Sequence, residues 1–148
     1  MSDMRELYQE IILDHNKKPR NCYVMDCANR TADGHNPLCG DTVKVYLRIE
    51  NGVIEEISFQ GEGCAICTAS TSLMTESVKG KSVSEVKEIF DGFHDMLTGV
   101  AEEQGVELGK LQVFEGVREY PVRVKCATLA WHTLNAAMDG DDESVTTE

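Results

Sequence analysis

Three of the six cysteines stand in settings that favour chemistry. Cys39 and Asp41 lie two positions apart, and residues with this spacing in an extended segment point to the same side, so both could reach one ion. Cys64 follows a glycine-rich turn at the predicted start of a helix, where backbone N–H groups favour the thiolate. Cys126 lies near the start of the last predicted helix, and the neighbouring Lys125 favours the thiolate there too.

Three thiolates and one carboxylate make four ligands, which is the number that a tetrahedral zinc site requires. Spacing along the chain leaves a second interpretation open, because scattered cysteines are commonly buried apolar residues without a ligand role.

The composition indicates one domain in the cytoplasm. A chain of 148 residues with 41% hydrophobic residues can close one core but is short for two. Its N-terminal stretch interleaves charged and apolar residues, so we predict no signal peptide, and we find no apolar run of bilayer length. Six cysteines in such a chain are more typical of metal ligands or reactive thiols than of disulfides. The net charge of -12 argues against nucleic-acid binding, which needs clustered cations.

The elements that position these residues follow from periodicity. A helix with one apolar side is predicted to end before Pro19. From Thr42 onward apolar residues alternate with polar ones, which predicts a half-buried strand with one inward face: Val43, Val45, Leu47 and Ile49. A weaker pattern over 30–34 is compatible with a third strand.

The dipeptide Asn51-Gly52 predicts a hairpin after this strand. A two-residue turn would oppose Val45 to Ser58 and mix the two faces of the sheet. A three-residue loop over 50–52, with Gly52 left-handed, opposes Val45 to Ile57 and keeps apolar residues together. We therefore predict the three-residue loop.

Three helices are predicted to follow the hairpin. The first begins near Cys64, ends about Gly80 and is rich in small residues that permit close packing. Ser82 and Glu85 have the capping-box pattern that opens the second. The third follows Pro121 and presents one apolar face: Cys126, Leu129, Ala130, Thr133, Leu134 and Ala137.

This order of elements predicts an α+β fold, with a small antiparallel sheet of about three strands packed against four to six helices. We expect a single domain over residues 1–138. The last ten residues hold five acids and no base, so we expect an acidic, disordered tail over 139–148.

Several motifs in this order resemble one protein family. NPLCGD at 36–41 precedes the predicted hairpin, and GEGCAI at 61–66 follows it. LYQEIILDHNKKPRN at 7–21 and VKCATLAW at 124–131 complete the pattern. Together they resemble the family shared by the IscU scaffolds, the N-terminal domain of NifU and SufU. The resemblance implies work in iron-sulfur cluster assembly and a metal site with four ligands: Cys39, Asp41, Cys64 and Cys126.

Two departures from the IscU scaffolds resemble the SufU branch. Lys125 stands where those scaffolds have a histidine, and a protonated lysine cannot be a ligand. The interval between the second and third cysteines is also longer, with the extra segment expected between Gly99 and Gly116. The SufU resemblance implies a zinc ion, and transfer of sulfur from the SufS cysteine desulfurase toward the SufB-containing scaffold complex.

We therefore predict a zinc-dependent sulfur acceptor. The attack on the desulfurase persulfide is assigned to Cys39, because a loop residue can move more freely than Cys64 or Cys126 on helices. The alternative is a U-type scaffold that assembles a [2Fe-2S] cluster on the same ligands, with iron in place of zinc, and donates it. A third interpretation is a structural zinc module, although such closed sites favour Cys and His over a carboxylate.

Two cations near the third cysteine are added to the candidate catalytic residues. Arg123 and Lys125 are either surface charges or cations that hold Asp41 or receive a negatively charged persulfide.

The remaining thiols and histidines are given lesser roles. Cys67 forms C-x-x-C with Cys64, but the strand and aromatic context of a redox pair are missing, so we predict a packed helix residue. Cys22 and Cys27 are predicted to be loop thiols. His35 could stand in as a ligand, but a solvated loop histidine is the commoner case.

Overall fold

The structure is a computed structural model, and it describes residues 2–36, 40–98, 111, 114, 120–139 and 145–146. The element order is α1 (Ser2–Lys17), β1 (Arg30–Asn36), β2 (Asp41–Glu50), β3 (Val53–Glu62), α2 (Ala65–Val78), α3 (Val83–Thr98), α4 (Pro121–Met138) and β4 (Val145–Thr146). Strands β1, β2 and β3 form an antiparallel sheet, and the short β4 runs parallel to β1 in the order β3-β2-β1-β4. The predicted α+β fold is confirmed, including the third strand.

The β2–β3 hairpin corrects our prediction of its loop and register. The turn has two residues, and Asn51 (φ 54°) and Gly52 (φ 76°) both adopt left-handed conformations, as a type I′ turn requires. The register shifts between Arg48 and Ile49, where β3 contributes one extra residue, so Val45 lies opposite Phe59 and not Ile57. This bulge returns the apolar residues of both strands to one face, which the tight turn alone would not do.

Helices α2 and α4 pack against the sheet and position two of the candidate ligands. Close approach of α4 depends on Gly34, because a Cβ at that position would lie 2.0 Å from Thr133 Oγ1. The inward side of the sheet is buried: Ala32, Gly34 and Asn36 on β1; Val43, Val45 and Leu47 on β2; Ile57 and Phe59 on β3. The predicted face of α4 is buried in the same core.

Helix α1 ends before Pro19, as predicted, and contacts α2 through polar side chains. Buried His15 Nδ1 lies 2.6 Å from Ser72 Oγ, which also accepts a hydrogen bond from the Arg20 backbone N–H at 2.8 Å. Small residues along α2 are fully buried, as expected for a helix that packs closely on several neighbours: Ala69, Ser70, Thr71 and Ser72.

Helix α3 begins with the predicted capping box. The Ser82 backbone N–H donates to Glu85 Oε1 at 3.1 Å, and the Glu85 backbone N–H donates to Ser82 Oγ at 3.2 Å. The helix packs on α4, where the rings of Phe93 and Trp131 lie 5.0 Å apart. None of the helices within the described residues is long and apolar enough to cross a membrane.

Part of the expected acidic tail is described. Val145 and Thr146 form β4 beside Gly34 and His35 of β1, so these two residues extend the sheet. Asp139 ends α4. The other tail residues, and most of the segment between Gly99 and Gly116, lie outside the described residues, so the predictions for them stay predictions.

Candidate metal centre

Three of the four predicted ligands converge at one end of the sheet. Asp41, Cys64 and Cys126 each offer one ligand atom, and these atoms lie within 4.8 Å of one another. Across the parts of the chain that are described, this is the one group of three or more His, Cys, Asp or Glu side chains with such spacing. The fourth predicted ligand, Cys39, lies outside the described residues, so its place in the site stays a prediction.

Asp41 is the first residue of β2 and is fully buried. Its Oδ1 accepts a hydrogen bond of 2.8 Å from the backbone N–H of Cys64. The carboxylate also packs against Gly63, where a Cβ would lie 2.5 Å from Oδ1. Glycine at this position is therefore what lets the carboxylate reach the start of α2.

Cys64 is the N-cap of α2, with an extended backbone at φ -69° and ψ 168°. Its Sγ accepts a hydrogen bond of 3.4 Å from the backbone N–H of Cys67 and lies 3.9 Å from Asp41 Oδ2. The predicted position at the helix start is confirmed. Cys64 is the most exposed of the three converging ligands, because Asp41 and Cys126 are buried.

Cys126 lies in the second turn of α4 and is 1% exposed. The helix is tied to α2 beside this cysteine, because Ser70 Oγ donates a hydrogen bond of 2.5 Å to the carbonyl of Ala127. Packing of α4 on the sheet and on α2 thus sets the position of the third thiol.

Asn36 belongs to the site and was missed by the sequence analysis. It is the last residue of β1 and is fully buried. Its Nδ2 donates to Asp41 Oδ2 at 3.4 Å and to Cys126 Sγ at 3.5 Å. The available signal was its place at the head of the NPLCGD motif, where it continues the inward alternation of Ala32 and Gly34 with a polar side chain.

The donor set fits a zinc ion. With Zn–S near 2.3 Å and Zn–O near 2.0–2.2 Å, a sulfur and an oxygen ligand of a tetrahedral site lie about 3.6 Å apart, and Cys64 Sγ lies 3.9 Å from Asp41 Oδ2. The Asn36 amide and the Cys64 backbone N–H that donate to Asp41 are neutral. A bound cation would compensate for burial of the carboxylate, which is costly without a charged partner. Iron would also suit this mixture of thiolates and a carboxylate.

The two candidate cations lie on the first turns of α4. Arg123 is exposed and its guanidinium lies 5.1 Å from the centre of the Tyr120 ring. Lys125 is partly buried next to Cys126. Their predicted roles in catalysis stay predictions.

The lesser thiols lie where the sequence analysis placed them, whereas His35 is solvated as expected but lies on a strand and not in a loop. Cys67 is buried on α2, in agreement with a packed helix residue. Cys22 and Cys27 are exposed. His35 is exposed on β1, beside β4.

Comparisons with known proteins place this site in a family. The model of the NifU-like N-terminal domain matches residues 7–127. A zinc-dependent sulfurtransferase SufU from Bacillus subtilis is 36% identical over 133 residues, covering 90% of each chain. An iron-sulfur cluster assembly scaffold protein IscU from Streptococcus pyogenes is 37% identical over 138 residues, covering 93% of this chain and 86% of the relative.

A solved structure agrees with the sequence comparisons. The N-terminal part of a nitrogen-fixing NifU-like protein from Brucella abortus superposes with a TM-score of 0.80 at 26% identity, covering 90% of this chain and 92% of the other. The chain therefore belongs to the family of NifU-like N-terminal domains, which is the iron-sulfur cluster assembly family of the SufU and IscU proteins.

Proposed function

We propose that this protein is a zinc-dependent sulfur acceptor in iron-sulfur cluster biogenesis. It takes persulfide sulfur from a SufS-like cysteine desulfurase and passes it to a SufB-containing scaffold complex in the cytoplasm. The observation that carries the proposal is the convergence of two thiols and one buried carboxylate within 4.8 Å of one another. The zinc-dependent sulfurtransferase of Bacillus subtilis, at 36% identity over most of both chains, supports it.

In this proposal Cys39, Asp41, Cys64 and Cys126 hold the zinc ion. When bound, zinc keeps the thiols deprotonated, which is the form that reacts. Cys64 and Cys126 are fixed by helices that also pack the core, and Asp41 is fixed by the start of β2. Cys39 falls between β1 and β2 in the sequence, and in this proposal it is the ligand that leaves the metal to react.

The proposed transfer is a thiol–persulfide exchange. The Cys39 thiolate attacks the outer sulfur of the desulfurase persulfide, a new S–S bond forms, and the S–S bond within that persulfide breaks. The desulfurase cysteine leaves as a thiolate, and Cys39 carries the persulfide. No external oxidant or reductant is needed. Arg123 and Lys125 contribute positive charge near the third cysteine, where the negatively charged product is received.

The test is to locate the transferred sulfur. After reaction with a desulfurase and cysteine, mass spectrometry should find one added sulfur on Cys39. The Cys39→Ser variant should lose stimulation of the desulfurase and keep its fold, whereas Cys22→Ser, which changes an exposed thiol, should remain active. Sulfur found mainly on Cys64, Cys67 or Cys126, with Cys39→Ser still active, would contradict the assignment.

The second candidate function is a scaffold that assembles a [2Fe-2S] cluster on the same ligands and donates it. It is favoured by the IscU relative of Streptococcus pyogenes, which is as similar to this chain as the sulfurtransferase is. Metal analysis of anaerobically purified protein separates the two. A colourless protein with one tightly bound zinc supports sulfur transfer, and a brown protein with iron and sulfide supports the scaffold.

A further inference from the structure

Asn36 occupies an unusual position for a polar residue. It is fully buried on the inward side of β1, in line with Ala32 and Gly34, where an apolar side chain would be expected. Burying a side-chain amide is costly unless hydrogen bonds replace those made with water. Two partners of the Asn36 amide are Asp41 and Cys126, which belong to the three converging candidate ligands.

The chemistry of the amide suits both partners. An Asn side chain carries two N–H donors on one nitrogen. Asp41 Oδ2 at 3.4 Å accepts from this nitrogen, and so does Cys126 Sγ at 3.5 Å. A carboxylate and a thiolate both carry negative charge when they bind a metal, and hydrogen bonds to charged acceptors are stronger than those between neutral groups. The amide therefore lies where it can hold two negative ligands side by side.

The sheet register adds a second, independent observation. Asn36 is the last residue of β1, Asp41 is the first residue of β2, and the two are partners in the antiparallel ladder. Residues 37–40, which include Cys39, connect this pair. The Asn36–Asp41 contact thus closes the base of the connection that carries the proposed sulfur acceptor.

We propose that Asn36 is a positioning residue of the metal site. Its buried amide holds Asp41 and Cys126 together, so that these two ligands stay side by side at the metal. The proposal rests on the zinc site of the proposed function and adds the residue that keeps the rest of that site assembled. Partners of this kind, which touch ligands but not the metal, typically contribute about 10- to 100-fold to metal affinity.

The experiment removes the amide and measures the metal directly. In Asn36→Ala, zinc affinity from competition with a chromogenic chelator should fall by about 10- to 100-fold. The absorption spectrum of the Co²⁺-substituted protein should also change, because two ligands shift around the metal. The matched control is Asn29→Ala, just before β1, which removes two hydrogen bonds to the Ile49 backbone far from the site, one to the carbonyl at 2.9 Å and one from the N–H at 3.0 Å. That variant should keep the wild-type zinc affinity and cobalt spectrum.

The outcomes separate positioning from general stability. Unchanged zinc affinity and cobalt spectrum in Asn36→Ala would overturn the proposal, even with a lower melting temperature, because that pattern shows packing alone. Should Asn36→Ala fail to fold by circular dichroism, Asn36→Ser decides by the same two measurements, since it leaves a smaller cavity. If the wild-type protein binds zinc and both Asn36 variants bind it with the same affinity as wild type, only this inference is overturned. Wild-type protein that binds no zinc overturns the proposed function with it.

Discussion

Asp41 is the ligand whose chemistry differs from that of the others, because it brings oxygen to a sulfur-rich site. Zinc is of borderline softness and binds thiolates and carboxylates, but softer ligands dominate such sites. The hydrogen bond from the Cys64 backbone N–H gives Asp41 a second role, since it orders the start of α2. The role of Asp41 in metal binding and its role in folding can be separated by comparing two substitutions of this residue.

For Asp41→Ala we expect a smaller loss of zinc affinity than for Cys64→Ala or Cys126→Ala. The variant keeps every thiolate of the site, and these are the better-matched ligands. Chelator competition on the three purified variants gives the ranking. Asp41→Asn is the matched variant, because its Oδ1 can still accept from the Cys64 N–H while the charge is lost. Equal metal loss in all three alanine variants would show that the ligands are ranked wrongly.

Gly63→Ala should weaken zinc binding without replacing any ligand. The added Cβ would lie 2.5 Å from Asp41 Oδ1, so the carboxylate must shift. The control is Gly80→Ala, at φ 83° with open space around it, which should lower the free energy of unfolding by about 1 kcal/mol through backbone strain. Zinc affinity should fall only in Gly63→Ala, and urea denaturation measures the loss of stability in Gly80→Ala. Equal zinc affinity in Gly63→Ala and Gly80→Ala would contradict the close approach described here.

Among the helices, α3 begins with a capping box that contains an ionisable carboxylate, Glu85. Hydrogen bonds from the Ser82 backbone N–H and, to a lesser extent, the Ser82 hydroxyl lower the pKa of Glu85 from its ordinary 4.5. Folding therefore favours the charged carboxylate. The resulting stability is fully present above pH 4.5 and is lost as the pH falls through the lowered folded-state pKa.

Glu85→Gln should destabilise the protein at neutral pH, and its difference from wild type should become smaller as the pH falls below 4.5. Glutamine has the shape of a protonated glutamate, so both proteins carry a neutral side chain once Glu85 is protonated. Urea midpoints of chelator-treated protein at about pH 7 and about pH 3, either side of the ordinary glutamate pKa, measure this. Glu88→Gln, an exposed position on the same helix, is the control. A difference that persists unchanged at the acid pH would exclude the capping-box explanation.

Over the whole molecule, the candidate site joins elements that are distant in the chain. Asp41 comes from β2, Cys64 from the start of α2 and Cys126 from α4. An ion bound there connects the sheet to two helices of the core, and it has no equivalent site in the unfolded chain. Metal binding should therefore contribute to folding stability.

Chelation should lower the melting temperature markedly. Zinc at about 1,000 times its dissociation constant stabilises the folded state by about 4 kcal/mol. For a domain of this size each kcal/mol corresponds to about 2–4 °C, so a loss of roughly 10 °C is expected. Calorimetry before and after verified metal removal measures it. An unchanged melting curve would indicate a core that forms independently of the metal.

Local signals in the sequence determined most of the elements of this protein. The capping box of Ser82 and Glu85, the end of α1 before Pro19 and the buried face of α4 depend on neighbours within a few residues, so periodicity and short motifs predict them. The prediction that Asp41, Cys64 and Cys126 lie together as candidate ligands also followed from motifs, once these were compared with a family. The spacing of the cysteines alone was equally compatible with buried apolar residues that have no ligand role.

Only the tertiary structure decided where the distant segments meet. The bulge between Arg48 and Ile49 keeps the apolar residues on one face despite the two-residue turn, and without it the alternation of apolar residues led us to a longer loop and the wrong register. Asn36 reaches Cys126 across 90 positions of the chain, and no local pattern records such a contact. Its polarity on an inward face becomes intelligible only when the two ligands that it touches are in place, because a buried amide is stable only with its partners.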